Sequence, residues 1–94
     1  MSNCNFEESL TNYSGRARHN LKIDLEYYLS ISNGFKTFEI RKNDRYYREG
    51  DLLVLRPYCR KQGIFLNYPE LIKVVTYITD YNQKDGYVVM ALGD

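Results

Sequence analysis

The sequence predicts an α+β fold that is mainly β: a small, partly closed barrel of about five strands, with one short helix between the first two. Three observations point there. Apolar or alternating runs recur at 19–24, 37–41, 52–55, 71–79 and 87–92, separated by Gly, Pro, Asn and Asp. Only the segment from Leu25 to Ser32, bounded by Asp24 and Asn33-Gly34, carries a helical stripe that leads into a strand. About five short strands are too few for a sandwich, and closing the sheet removes exposed edges, so a barrel with the helix plugging or flanking one end buries them best.

Residues 1–18 mix polar side chains with Phe6, Leu10 and Tyr13. That spacing is helical, but Ser14-Gly15 interrupts it, so 1–18 read as an arm or tail and 19–94 as the domain. In His19–Asp24, Leu21 and Ile23 face one way and Asn20, Lys22 and Asp24 the other. Asp24 then stands as a helix N-cap, with Glu26 in the first turn where the helix dipole favours a negative charge. Leu25, Tyr28, Leu29 and Ser32 form the apolar stripe of a helix of about nine residues, closed by Asn33-Gly34.

The stretch GFKTFEIRKNDRYYREG at 34–50 comes next. Alternation puts Phe38 and Ile40 on one side, to feed a core, and Thr37, Glu39 and Arg41 on the other. Leu52–Leu55 is a continuous apolar run, the pattern of a strand buried on both faces, and Pro57 is expected to stop it. Residues 57–70 carry two prolines and a glycine and read as a loop, locally basic through Arg56, Arg60 and Lys61. Leu71–Thr79 is rich in β-branched residues and reads as a long strand. A polar connection ending in Asp85-Gly86 leads to the last strand, 87–92, and hairpin-type connections imply antiparallel neighbours there.

The 94 residues make one domain. A net charge of +1 argues against a protein that grips nucleic acid by charge over its whole surface, and leaves room for a local basic patch. Apolar stretches fall far short of the roughly 20 residues that span a bilayer, and the opening MSNCNFEESL lacks the features of a signal peptide, so no membrane association and a cytoplasmic location are expected. Cys4 and Cys59 are far apart and only His19 could join them, so two free thiols and no metal or other cofactor are expected. A monomer is the default. Ten tyrosines with no tryptophan suit a small domain whose core lies near its surface; tyrosine also stacks on bases in single-strand binders.

The residues Gly34, Lys36, Thr37, Glu39 and Arg41 spell G-x-K-T-x-E-x-R after a short helix, which resembles the signature of ASCH domains in the PUA-like superfamily. Together with HNLKI at 19–23, KTFEIRKNDR at 36–45, EGDLLVLRPY at 49–58 and the ending at 74–92, it is similar to a small family of phage and bacterial proteins in that superfamily whose function is unknown. The resemblance covers about residues 19–92 and implies a small β-barrel with a cleft at the G-x-K-x-x-E-x-R strand that binds RNA or a nucleotide. A few ASCH relatives are amidohydrolases that deacylate N4-acetylcytidine with a lysine, a threonine and a glutamate. Lys36 matches their lysine. Glu39 stands where they hold the catalytic threonine, Thr37 matches a neighbouring threonine, and residues 61–70 offer only Glu70 for their glutamate.

The leading expectation is therefore an RNA- or nucleotide-binding module. Arg41 offers a planar fork for a phosphate or a base edge, Glu39 an acceptor for an exocyclic amine, and Lys22 and Lys36 charge for a phosphate, with Thr37, Lys42 and Arg45 in support. The plain alternative is a solvated ladder of surface ion pairs, each worth about 0–1 kcal/mol. Lys36 and Glu39 are the candidates if the protein is an amidohydrolase on modified nucleosides, and a phage-type protein-interaction module is the third reading. His19 reads as a structural residue at the barrel seam, with general base as the alternative, and Tyr46-Tyr47 between Arg45 and Arg48 as packing on the rim, with base stacking as the alternative.

Overall fold

The computed structural model describes residues 16–94, so the expected helix around Phe6, Leu10 and Tyr13 lies outside the described residues. The elements are β1 (Arg18–Ile23), α1 (Leu25–Ser32), β2 (Phe38–Lys42), β3 (Leu52–Cys59), β4 (Ile64–Phe65), β5 (Leu71–Thr79) and β6 (Tyr87–Gly93). The fold is mainly β, with α1 between the first two strands as the patterning predicts. Five strands in the order β1-β3-β5-β6-β2 form a curled half-barrel, and the two-residue β4 pairs with β3 off that path. β1 runs parallel to β3, with α1 in the connection that separates β1 from β2; the remaining pairs are antiparallel.

Register explains the core. His19, Leu21 and Ile23 sit opposite Leu53, Leu55 and Pro57, all buried on the concave side. Val75, Met90 and Val88 continue that side across β5 and β6. Val54 is buried as well, so the double burial predicted for the 52–55 run holds for it. The helix covers the concave side with Leu25, Tyr28 and Ile31, whereas Leu29, expected on the apolar stripe, is 43% exposed. An eight-residue helix lays only one flank on the sheet. The Tyr28 hydroxyl, which donates to the Pro69 carbonyl at 2.8 Å, and its ring, set edge-on to Tyr68, tie that flank to the 66–69 loop.

Both helix ends follow from the flanking residues. Asp24 occupies the N-cap in an extended conformation, but its side chain makes no capping bond and instead accepts from Arg60 Nε at 3.2 Å. At the other end Gly34 adopts φ +86°, open to glycine at little cost. Its N–H donates to Ile31 O, and Lys36 N–H donates to Ser30 O. That turn delivers Lys36 to the start of β2.

Pro57 does not stop β3, which continues to Cys59. The Pro57 carbonyl accepts from Leu66 N–H, so the ring nitrogen faces that same edge. Pairing with β5 ends at Leu55 and pairing with β4 begins at Tyr58, so the missing N–H falls in a gap and removes no ladder bond.

Asp51 fastens the other side of the barrel. Its buried carboxylate accepts from His19 Nε2 at 2.8 Å, Arg48 N–H at 2.9 Å and Ala17 N–H at 3.3 Å, joining β1 to the loop before β3. A carboxylate only accepts, so His19 carries a proton on Nε2. The His19 ring meets Tyr47 edge-on at 4.7 Å, and burial pushes the Tyr47 hydroxyl above its ordinary pKa. His19 thus sits in the tie between β1 and the loop before β3 and lines neither cavity described below. Tyr46, in contrast, takes φ +54° and points its side chain to solvent.

Among the described residues no helix is long and apolar enough to cross a membrane, and no cluster of His, Cys, Asp and Glu could hold a metal. Cys59 is a half-buried free thiol.

Burial raises the Asp51 carboxyl, but the hydrogen bonds from His19, Arg48 and Ala17 outweigh it and hold the group below its ordinary value of 3.8. A depressed native pKa contributes stability that is present above 3.8 and lost as pH falls through the native value. Asp51→Asn is therefore expected to cost about 1–3 kcal/mol at neutral pH. In urea titrations down through the acid range, the gap between parent and variant should close below the ordinary carboxylate value; a gap independent of pH would contradict this account.

Candidate functional site

Alternation places Glu39 and Arg41 on one side of β2 and Phe38 and Ile40 on the other, but the sides are inverted relative to expectation. Glu39 is 4% exposed, whereas Phe38 and Ile40 are 42% and 49% exposed. The register with β6 is the cause. Glu39 pairs with Met90 and Arg41 with Val88, both inward residues, whereas Phe38 and Ile40 lie beside Ala91 and Val89 on the convex side.

A carboxylate in that position needs compensation, and the same short stretch supplies it. Lys36 Nζ donates to Glu39 Oε1 at 3.1 Å, and Arg41 Nε donates to Oε2 at 2.7 Å. Lys36 is held further by the faces of Tyr27, at 4.4 Å, and Phe38, at 5.2 Å. Glu39 is thus bound on both oxygens and orients two cations.

Arg41 also closes the barrel. β1 and β2 are the two outer strands of the sheet. Odd-numbered residues of β1 point their backbone toward β3, as the bond from Leu52 N–H to Ala17 O shows, so the carbonyls of Asn20 and Lys22 point to the open edge. Arg41 Nη2 donates to Lys22 O at 2.8 Å and Arg45 Nη1 to Asn20 O at 3.1 Å. Guanidinium groups, in place of a backbone ladder, bridge the seam.

A cleft of about 540 Å³ opens along this seam, and an adjoining depression of about 320 Å³ shares Lys22, Arg41 and Arg60 with it. Of the residues singled out from sequence, Lys22, Lys36, Glu39, Arg41 and Lys42 line the cleft, and Arg45 lines the depression. Thr37 lines neither; its backbone carbonyl accepts from Leu92 N–H as β2 begins. Tyr46 and Tyr47 also lie outside both, one in solvent and one in the core. Sequence reasoning missed Tyr27 on α1, and it noted Arg56 and Arg60 only as a basic loop. The β1–β3 register brings Lys22 opposite Arg56, a long-range pairing that no local spacing reveals.

A family model described as Domain of unknown function (DUF3850) matches residues 18–92. The chain belongs to that family. The DUF3850 match runs from the first residue of β1 into β6, so every residue lining the cleft and the depression falls within it. No curated protein matches the chain.

Removing Glu39 leaves Lys36 and Arg41 facing each other without their shared acceptor. Glu39→Ala is expected to lower the unfolding free energy by about 1–3 kcal/mol, because a buried pair broken on one side costs more than the pair was worth. Lys36→Met keeps an apolar stem over Tyr27 and leaves Arg41 on the carboxylate, so it should cost less. Chemical denaturation of the two variants checks the order, and the reverse order would contradict the assigned roles.

Proposed function

We propose that this DUF3850 chain is a nucleotide- or RNA-binding module with an ASCH-type cleft of the PUA-like superfamily. One observation carries the reading: Lys36, Glu39 and Arg41, from the G-x-K-T-x-E-x-R stretch, converge on a single concave site with Lys22 and Lys42. At about 540 Å³ the cleft falls in the range of about 300–1,000 Å³ typical of small-molecule sites. Its walls combine cations with the half-exposed rings of Tyr27 and Phe38, the pairing of charge and stacking surface that suits a base attached to a phosphate.

Glu39 acts in this reading as the positioning group. With both oxygens engaged, it fixes the Lys36 ammonium and the Arg41 fork at the cleft wall. Arg41 spends one donor on Glu39 and one on Lys22 O, and the rest of its fork is left for a ligand. Lys36, matched to a carboxylate and two ring faces, is placed to grip an anion; the reading assigns it no covalent step.

Binding of short single-stranded RNA and of the common nucleoside monophosphates to the full chain tests this. Saturable binding is expected, weakened roughly tenfold or more in Lys36→Gln with little change in melting temperature. For RNA, the slope of log K against log salt should fall by about one in the same variant. If no probe binds at millimolar concentration, or if Lys36→Gln binds as tightly as the parent, the reading fails.

A further inference from the structure

We infer that the smaller depression is a phosphate subsite that continues the main cleft, so that the preferred ligand is a nucleotide whose nucleoside lies in the cleft and whose phosphate is held by arginines beside it. The inference rests on the nucleotide reading above for the nucleoside half only. Five cationic side chains line this depression: Lys22 from β1, Arg41 from β2, Arg45 from the following loop, Arg56 from β3 and Arg60 just beyond it. No carboxylate lines it.

Three acids touch its cations: the buried Glu39, which holds Arg41 at 2.7 Å, and the half-exposed Asp24 and Glu70. Asp24 holds Arg60, and Glu70 approaches Arg56 only to 3.8 Å, longer than a hydrogen bond. Counting Lys36 and Lys42 of the adjoining cleft, seven cations face three carboxylates, Asp24, Glu39 and Glu70, on a chain whose net charge is +1. Positive charge is concentrated here, where it repels itself and favours an anion.

The cations are also held in place by something other than anions. Arg56 stacks on the Phe65 ring at 3.9 Å, and Lys22 lies over the Tyr58 ring at 4.3 Å. Aromatic faces fix both side chains without neutralising them, so a ligand finds them ordered and competes at Arg56 only with the 3.8 Å approach of the half-exposed Glu70. Arg45 is anchored through one nitrogen to Asn20 O and keeps its remaining donors. Guanidinium forks that converge from separate elements match a tetrahedral, doubly charged oxyanion better than a single carboxylate, which one fork satisfies. Because Lys22, Arg41 and Arg60 line both cavities, a phosphate here is adjacent to a nucleoside in the cleft.

The test compares common ribonucleosides, their 5′-monophosphates and inorganic pyrophosphate, titrated into the full chain and followed by backbone amide spectra. A monophosphate is expected to bind about tenfold or more tightly than its nucleoside. Pyrophosphate should perturb the amides of Asn20, Leu21 and Phe65 and compete with the monophosphate. Arg56→Gln, outside the nucleoside cleft and partly exposed, should erase the monophosphate's advantage while nucleoside binding and melting temperature stay unchanged; Arg56→Lys should restore part of it. Equal affinity for nucleoside and monophosphate, or an advantage that survives Arg56→Gln, would overturn the subsite. If pyrophosphate binds here and no nucleoside binds the cleft, the subsite stands and the nucleoside reading falls. If nucleosides bind and pyrophosphate does not, the subsite falls and the nucleoside reading stands.

Discussion

A carboxylate turned into the barrel constrains everything around it. Glu39 lies on the concave side of β2, beside Met90, where an unpaired charge would be costly. Compensation comes from Lys36, three residues before it, and Arg41, two after it. Their positions are set in turn by the Gly34 turn, which starts β2 where it does, and by the register with β6, which sends Glu39 and Arg41 inward. Reversing that register by one residue would bury Phe38 and Ile40 and release the charged trio to solvent.

The same arrangement settles how the sheet ends. A curled sheet of five strands leaves two edges, and unpaired edges invite association with other chains. Here the β1 edge is met by Arg41 and Arg45, whose reach is longer than that of a backbone ladder. The seam is therefore bridged and yet held apart, and the cleft occupies the space between. Cleft and seam are one feature: side chains that close the barrel keep spare donors facing its gap. On the far side Asp51 gathers three donors from β1 and the preceding loop and holds β1 against β3, so that the strand carrying Lys22 is fixed at both ends.

Several elements were legible because their signals are local. The β-branched run at 71–79 and the run starting at Tyr87 became β5 and β6, and α1 lies between its capping residues at Asp24 and Asn33. Other readings failed for identifiable reasons. Pro57 signals a break, yet it fell where β3 changes partners and no hydrogen bond was needed. Asp24 signals a side-chain cap, yet Arg60, from a distant loop, competes for its carboxylate. The helix stripe was drawn through Leu25, Tyr28, Leu29 and Ser32, but on the sheet Ile31 is buried beside Tyr28 and Leu29 is left 43% exposed.

What the sequence determined by itself was the order of the helix and the five longer strands and the gathering of Lys36, Glu39 and Arg41 on and just before one short strand, since period-two alternation and turn residues act over a few positions. It did not reveal β4 and the end of β3, which lie inside the stretch read as a loop. Nor did it determine which side of β2 faces inward, because alternation separates two faces without naming either. That choice, the meeting of Lys22 with Arg56 across the β1–β3 pair, and the arrival of Tyr27 beside Lys36 were made by the tertiary structure. Each depends on pairing between segments remote in the chain, where register and the compensation of buried charge outweigh local preference.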